Sequence, residues 1–494
     1  MKDNTLVAFS QTVSDRADGL YPRITGALIG AAAGDALGWS TEFVRGVRHL
    51  QTLYHTDFVR EYRPWQKTTG GRFNAYIDYI SKGQYSDDTQ LAMATARSLN
   101  ADGSVDPDHF ASVELPLWLD YARGAGRTVT AAARAMRRKS VRWNSNFFAV
   151  KTRTGMQDYR DAGANGAAMR VGPLALANVY RPRRLEEAVW KNAVVTHGHP
   201  RAIWGALVYA EALRKSVEER GFAPQALISH LKHTAMELAP PSDPAITTWL
   251  RAWDQVPNRR FEDEWETVRV EVLSGLNDIG QPEGPADWKP LLTKFGCFSP
   301  ATKGSGTATV LGALAIFYHL GHQLPHSVVT AVNQIGTDTD TIAGFVGGLA
   351  GAVHGFDAIP RAWASELQDY DYLMRVATEL TAIATDRGLG GKALLPAERK
   401  QFGSLPDLVQ LLRSHSVNQK DVVYHRLFGR GVVESVEAQA LRRKDGARAV
   451  FAWVQFYIGQ SCKFRYIEIP RPTSRLPAEG FSGGKTDLIE DDDL

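Results

Sequence analysis

Residues 337–354 read TDTDTIAGFVGGLAGAVH, and this segment decides the fold. Alternating Thr and Asp lead into small and apolar residues at helical spacing. The 4 glycines after position 341 would each cost about 1 kcal/mol of helix propensity relative to Ala, which is hard to tolerate in an exposed helix. The pattern therefore predicts a buried central helix at 341–354, packed against neighbouring backbones, that holds its N-terminal acids rigidly. Its apolar stripe is Ile342, Phe345, Val346, Leu349 and Val353.

A second glycine-rich helix is predicted at residues 24–37, where Gly26, Gly30 and Gly34 allow close helix contact. Most of the chain between residues 21 and 387 has the same helical character. The other predicted helices are 89–99, 171–179, 185–195, 201–218, 307–320 and 324–335.

After residue 387 the pattern changes to a glycine-rich linker, a short helix at 405–414 and β-rich segments at 422–425, 431–437, 447–456 and 462–469. The predicted fold is an all-α, compact orthogonal helical bundle followed by a small β-barrel. The predicted organisation is an N-terminal extension (1–20), a helical domain (21–387), a linker (388–420), the barrel (421–472) and an acidic disordered tail (473–494).

Composition excludes several classes of protein. The chain has 494 residues, 44% apolar and 22% charged, which is enough for one large core and a second small one. No run of about 18 apolar residues is present, and the first residues lack a signal-peptide pattern, so we expect a cytoplasmic location and no membrane partner. Cys297 and Cys462 are predicted to be buried free thiols.

Charge is uneven along the chain. The net charge of +3 predicts no general attraction to nucleic acid. Residues 413–475, however, carry 12 Lys and Arg against 5 Asp and Glu, and residues 476–494 carry 6 acids against one Lys. The tail either folds back on the basic barrel or is solvated charge that keeps the chain soluble.

Two short acidic clusters, SDDT at 86–89 and TDTDT at 337–341, each open a predicted helix. Carboxylates and hydroxyls at a helix N-terminus are oriented by the free N–H groups and the positive end of the dipole. Hard oxygen ligands of this kind suit Mg²⁺ or Mn²⁺. Either cluster alone is typical of a helix cap, but their repetition indicates two halves of one metal site.

Polar loops lie between the clusters. GANGAAMR at 163–170 is a small-residue loop in which exposed N–H groups can approach a pyrophosphate or ribose, although such a loop is often only a turn. THGHP at 196–200 also precedes a helix, where one His could simply cap it. KGSGT at 303–307 lacks the spacing of a P-loop, which argues against a nucleotide triphosphatase.

The order of these motifs resembles the ADP-ribosylglycohydrolases, related to the dinitrogenase reductase-activating glycohydrolases. The resemblance covers residues 20–385 approximately and is carried by GALIGAAAGDALG at 26–38 together with 86–89, 163–170, 196–200 and 336–341. It implies an all-α fold whose binuclear Mg²⁺ or Mn²⁺ centre hydrolyses the N- or O-glycosidic bond between ADP-ribose and a modified group. The implied metal ligands are Ser86, Asp87, Asp88, Asp338, Asp340 and Thr341, with Ser86 in place of the commoner Thr.

The same resemblance implies roles in catalysis and binding. Glu42 matches the position of a catalytic Glu in some members, while Asp88 is the competing general base. Without the resemblance, Glu42 would be interpreted as an exposed acid flanking a helix. The implied substrate contacts are Gly163, Asn165 and Gly166, holding the ribose or diphosphate, and His197, touching the ligand.

A second resemblance lies near the C-terminus. VYHRLFGRGVV at 423–433, followed by an aromatic-rich strand, resembles the Tudor/SH3-like barrel that ends UvrD/PcrA-type helicases. It implies a hairpin and a docking domain for a protein partner such as RNA polymerase, while the local basic charge favours an acidic protein surface or nucleic acid. Hairpin geometry explains Gly429 and Gly431 equally well.

Three functions stay open at this point. The leading one is a metal-dependent hydrolase that removes ADP-ribose from a protein, a nucleic acid or a small molecule. The second is a reader that binds ADP-ribose without turnover and recruits a partner through the barrel. The third is a hydrolase of a small ADP-ribosyl metabolite.

Overall fold

The computed structural model describes residues 19–71, 74–152, 155–280, 287–396, 405–443 and 445–469. The predicted acidic tail and nearly all of the predicted N-terminal extension lie outside these ranges. The chain divides into two compact units. The described residues of the helical unit lie within Met1–Arg63, Lys82–Pro116 and Gly124–Leu394, and those of the sheet unit lie within Pro64–Ser81, Leu117–Arg123 and Leu395–Leu494.

The helices confirm the helix-rich fold predicted from periodicity, and the predicted segments differ from them mainly by a few residues at the ends. A π-helical turn, Phe110–Glu114, joins the short helices Pro107–His109 and Leu115–Trp118. The α-helices are α1 Leu20–Glu42, α2 Val47–Tyr54, α3 Asp87–Arg97, α4 Pro107–His109, α5 Leu115–Trp118, α6 Arg127–Met136, α7 Gly172–Ala177, α8 Pro182–Ala193, α9 Pro200–Glu218, α10 Pro224–Glu237, α11 Pro244–Trp253, α12 Phe261–Ile279, α13 Lys289–Lys294, α14 Gly306–Leu320, α15 Leu324–Val332, α16 Thr339–His354, α17 Arg361–Glu366, α18 Tyr370–Ala384 and α19 Leu408–Arg413.

All strands pair antiparallel, in two hairpins and one larger sheet. The two hairpins interrupt the region that the sequence predicted as helical. Their strands are β1 Trp65–Thr69 with β2 Tyr76–Ile80, and β3 Ala149–Thr152 with β4 Gly155–Asp158. The sheet contains β5 Val422–His425, β6 Gly429–Ala440, β7 Arg448–Phe456 and β8 Ser461–Glu468, in that order.

The centre of the helical unit is the contact between α1 and α16. A Cβ atom added to Gly30 would lie 2.3 Å from the carbonyl oxygen of Gly347, and one added to Gly347 would lie 2.1 Å from the oxygen of Gly30. Real side chains do not approach so closely, so glycine is what allows the two backbones to touch. This finding confirms the predicted buried helix and explains its glycines.

The same packing brings the end of α1 to the start of α16. A Cβ atom added to Gly38 would lie 2.3 Å from the carbonyl oxygen of Thr339. The Thr339 hydroxyl donates to the Gly38 carbonyl at 2.9 Å and lies 3.1 Å from the Thr41 hydroxyl. Glu42, the last residue of α1, is thereby held beside the acidic start of α16.

In the sheet unit, the hairpin of β1 and β2 packs on the four-stranded sheet. Tyr76 contacts Phe451, with ring centroids 5.0 Å apart, and the Gln439 side chain bonds both backbone polar groups of Ile77. Asp78 is buried against Arg123 at 3.1 Å and Lys463 at 2.8 Å. This unit therefore includes segments that precede the predicted linker.

The sheet itself agrees with the predicted strands. His425 pairs with Gly429, whose φ of 72° closes the first hairpin at a position that favours glycine. Among the described residues, strand pairing runs in order from β5 to β8, and β5 does not pair with β8. The closure of a barrel therefore stays a prediction. None of the described helices is both long enough and apolar enough to span a membrane.

Candidate metal centre

The first acidic cluster forms the start of α3. Ser86 is the N-cap residue, and its hydroxyl accepts a hydrogen bond from the Asp88 backbone N–H at 3.2 Å. Asp87 and Asp88 occupy the first turn, as predicted for acids at a helix N-terminus. Ser86 therefore forms a helix cap, which was the alternative interpretation of this cluster.

Asp35 of α1 supports this turn from behind. Its carboxylate accepts from the Ser86 N–H at 3.1 Å, the Thr89 N–H at 3.1 Å and the Thr89 hydroxyl at 2.6 Å. Asp35 lies within the glycine motif at 26–38, and no role was predicted for it.

The second acidic cluster forms the start of α16. Asp338 is the N-cap residue and Asp340 lies buried in the first turn, where its carboxylate accepts from the Thr341 N–H at 2.9 Å. Gly304 leaves space for the Asp338 side chain, since a Cβ atom there would lie 2.9 Å from Oδ2 of Asp338. One of the polar loops noted in the sequence thus borders the cluster.

Two side-chain contacts join the clusters. The Thr341 hydroxyl donates to Oδ2 of Asp88 at 2.8 Å. The Asn165 amide donates to Oδ2 of Asp338 at 3.2 Å and to the Thr341 hydroxyl at 3.1 Å. The structure therefore brings together residues 253 positions apart, which the sequence assigned to two halves of one site.

Glu42, Asp338 and Asp340 form a compact group of carboxylates. Each offers an oxygen, and the three oxygens lie within 4.8 Å of one another. An all-oxygen donor set of this kind fits a hard divalent cation such as Mg²⁺ or Mn²⁺. The geometry also places Glu42 with the second cluster rather than at an exposed helix end.

Electrostatics favour a cation at this position. Burial raises the pKa of Asp340 well above its usual value, and the charges of Glu42, Asp338 and Asp88 raise it further. Burial likewise raises the pKa of Asp88, with added repulsion from Asp35, Asp87 and Asp338. Closely spaced carboxylates resist ionisation together, and a bound divalent cation reverses that penalty.

The glycine loop at 163–166 lies against the loop at 304–306. Asn165 N–H donates to the Gly304 carbonyl at 2.8 Å, and Gly306 N–H donates to the Gly163 carbonyl at 3.0 Å. A Cβ atom on Gly166 would come within 2.8 Å of the His197 ring. Packing thus explains part of the small-residue pattern that suggested a ligand loop.

His197 is fully buried. Its Nδ1 lies 2.7 Å from the Thr196 hydroxyl, which also accepts from Arg170 at 2.8 Å. Burial lowers the pKa of His197 well below its usual value, and the Arg170 charge lowers it further. The imidazole is therefore neutral at pH 7, and its Nε2 has no hydrogen-bond partner within the described part of the chain.

A small cavity of about 40 Å³ lies behind the first cluster, with Asp35, Asp88 and Tyr209 among its lining residues. This volume holds a few waters at most. Pockets for drug-sized ligands measure about 300 Å³ or more. A nucleotide-sized ligand therefore does not bind in this cavity.

Comparisons with known proteins agree with the fold and the motifs. The ADP-ribosylglycohydrolase family model matches residues 16–389. An ADP-ribosyl-[dinitrogen reductase] glycohydrolase of Rhodospirillum rubrum is 26% identical over 70% of this chain and 91% of its own length. The human ADP-ribosylhydrolase ARH3 is 26% identical over 71% of this chain and 90% of its own length.

A solved structure described as an ADP-ribosylglycohydrolase-related protein complex matches with a TM-score of 0.50 and 23% identity, covering 74% of this chain and 99% of that one. This likeness concerns the fold alone. Together the helical fold and the family match define a hydrolase enzyme. The chain belongs to the ADP-ribosylglycohydrolase family.

Proposed function

We propose that the protein hydrolyses the glycosidic bond between ADP-ribose and a modified target, using two Mg²⁺ or Mn²⁺ ions. The observation that carries this proposal is the meeting of the two acidic clusters, joined by the Thr341–Asp88 hydrogen bond of 2.8 Å. The family match supports the reaction, and the donor set supports the metal.

The proposed metal ligands are the hydroxyls and carboxylates of both helix starts. Their chemistry is uniform, because every one of them offers oxygen. A bound pair of divalent cations would supply positive charge that polarises the ribose hydroxyls and a water molecule. The proposed ligands are Ser86, Asp87, Asp88, Asp338, Asp340 and Thr341.

Proton transfer falls to a carboxylate at the same centre. We propose Glu42 as the general acid or base, because its carboxylate reaches the second cluster from a different helix. Asp88 is the alternative, although the hydrogen bond from Thr341 occupies one of its oxygens. Cleavage at the anomeric carbon passes through an oxocarbenium-like state, which nearby carboxylates stabilise.

The proposed substrate contacts are Asn165, its neighbouring glycines and His197. Asn165 bonds Asp338 and Thr341, so we infer that it orients these two side chains as well as any ribose beside them. Gly163 and Gly166 would hold the ribose or diphosphate through their backbone, and Nε2 of His197, which has no hydrogen-bond partner among the described residues, would bond to the ligand.

The experiment is a substrate panel. Pure full-length protein is incubated with ADP-ribosylated arginine, serine, nucleic acid and small-molecule substrates, with Mg²⁺ or with EDTA, and free ADP-ribose is measured. We expect release from at least one substrate, only with Mg²⁺, and none from Asp338→Ala. Equal release of ADP-ribose in EDTA would show that hydrolysis does not require a metal.

The same substrate panel distinguishes the two alternative functions, an ADP-ribose reader and a hydrolase of a small ADP-ribosyl metabolite. A reader would bind ADP-ribose without release from any substrate, whereas a metabolite hydrolase would act on small molecules alone. The acids present in both clusters favour turnover.

All the proposed site residues lie in the helical unit, so we propose that hydrolysis belongs to that unit. The relatives include an ADP-ribosylarginine hydrolase of Pseudomonas putida, which supports a protein substrate. None of them supports RNA polymerase or nucleic acid as a partner of the sheet unit.

A further inference from the structure

Asp35 is a buried carboxylate to which the sequence motifs assign no function. It is 1% exposed, and its hydrogen bonds from the Ser86 N–H, the Thr89 N–H and the Thr89 hydroxyl all come from the turn that carries the first acidic cluster. Among the described residues it takes part in no ion pair. A buried charge without a cationic partner is costly to the folded state, so support of the turn alone does not explain a carboxylate here.

The residues that bond to Asp35 lie on either side of Asp87 and Asp88 in the sequence. One oxygen holds the Ser86 N–H and the other holds Thr89, so the two anchored residues flank Asp87 and Asp88. The Ser86 hydroxyl is itself engaged by the Asp88 N–H. The backbone of the whole turn is therefore fixed relative to α1.

Helix α1 contacts both clusters. Asp35 and Glu42 are seven residues apart, which is about two helical turns and places them on the same side of the helix. Asp35 holds the first cluster, while Glu42 lies within 4.8 Å of the acids of the second. Helix α1 thereby sets the distance between the two halves of the centre.

We propose that Asp35 is a positioning residue of the metal centre: its carboxylate orients the Ser86–Thr89 turn and adds negative charge behind the cations. This inference rests on the proposed metal-dependent function. Groups that hydrogen-bond to metal ligands typically change metal affinity about 10- to 100-fold when they are removed.

The test compares Asp35→Asn with Asp243→Asn in the full-length chain. Asp243 offers a control outside the centre: as the N-cap residue of α11 its carboxylate accepts two backbone N–H groups, at 2.9 and 3.1 Å, and it also pairs with Lys191 at 3.0 Å. Mn²⁺ affinity is measured by titration with electron paramagnetic resonance, and folding by circular dichroism in EDTA. Values of kcat and KM are then taken at saturating Mn²⁺.

We expect Asp35→Asn to fold and to weaken Mn²⁺ binding about 10- to 100-fold. Its kcat should recover partly at saturating Mn²⁺, and Asp243→Asn should bind Mn²⁺ like the wild type. Wild-type affinity in Asp35→Asn would overturn the inference and leave Asp35 as a support of the helix alone. If the wild type binds no Mn²⁺, the proposed metal-dependent function fails as well.

A second variant applies if Asp35→Asn does not fold. Thr89→Val removes the 2.6 Å hydroxyl bond to Asp35 without changing charge. A several-fold loss of Mn²⁺ affinity in Thr89→Val supports the positioning role, and unchanged affinity overturns it.

Discussion

The hydroxyl of Thr341 donates a hydrogen bond to the carboxylate of Asp88, Oγ1 to Oδ2, at 2.8 Å. Each residue lies in the first turn of a different helix. The bond therefore links a side chain of the first acidic cluster directly to one of the second.

Removing this bond should impair the centre. We predict that Thr341→Val lowers kcat/KM about 10- to 100-fold, because it deletes a proposed ligand and releases Asp88 and Asn165. Thr337→Val is the control, since that buried hydroxyl donates only to the Gln334 carbonyl at 2.9 Å. Equal activities of the two variants in the ADP-ribose release assay would contradict the prediction.

The proton-transfer role of Glu42 can be separated from binding. Glu42→Gln keeps the size of the side chain and should lower kcat about 10²- to 10⁴-fold while ADP-ribose still binds in calorimetry. Asp88→Asn is made in parallel. Wild-type turnover in Glu42→Gln, with a large loss in Asp88→Asn, would show that Asp88 is the proton-transfer residue instead.

The close contact between α1 and α16 should not accommodate a methyl group added at a glycine. Gly30→Ala places a Cβ atom 2.3 Å from a backbone oxygen that cannot move away, so we expect a loss of about 2 kcal/mol or more in unfolding free energy. Gly172→Ala in α7 is the control, because its nearest neighbour would be 3.8 Å away. Urea denaturation measures both variants, and similar stabilities would argue against the close contact.

The ion cluster of the sheet unit gives a pH prediction. Burial by itself would raise the pKa of Asp78, but Arg123 and Lys463 outweigh it and lower the pKa to about 2. Asp78→Asn should destabilise the protein by about 3–5 kcal/mol at pH 7, because it removes the carboxylate whose charge compensates two buried cations.

A depressed pKa contributes stability above the unfolded value of about 3.9, and this contribution is lost as the pH falls. The stability difference between wild type and Asp78→Asn should therefore shrink between about pH 4 and pH 2. The exposed carboxylate of Asp445, which pairs with the half-buried Arg443, provides a control, and Asp445→Asn should have little effect. A difference that does not change with pH would contradict the assignment.

Much of the helical fold could be predicted from the sequence, because periodicity and glycine spacing report directly on buried helices. The helix α16, Thr339–His354, begins two residues before the predicted start at 341. The acidic clusters could be found for the same reason, since residues at helix starts have a local signature.

Other features depend on contacts between distant segments and carry no local signal. The β1–β2 hairpin is short, and its partner Phe451 lies far along the chain. The role of Asp35 is visible only once its bonds to Ser86 and Thr89 are seen. The linker at 388–420 stays a prediction, and the assignment of 64–81 and 117–123 to the sheet unit had no signal in the sequence.

The most direct test of the account is a metal titration of the wild-type protein coupled to its activity. Metal-free protein is titrated with Mn²⁺ or Mg²⁺ while bound metal and released ADP-ribose are both measured, with Asp340→Asn beside it. The account predicts that activity appears as about two ions bind per chain and that Asp340→Asn loses both. Full hydrolysis by the metal-free wild type, or unchanged metal content and activity in Asp340→Asn, would contradict it.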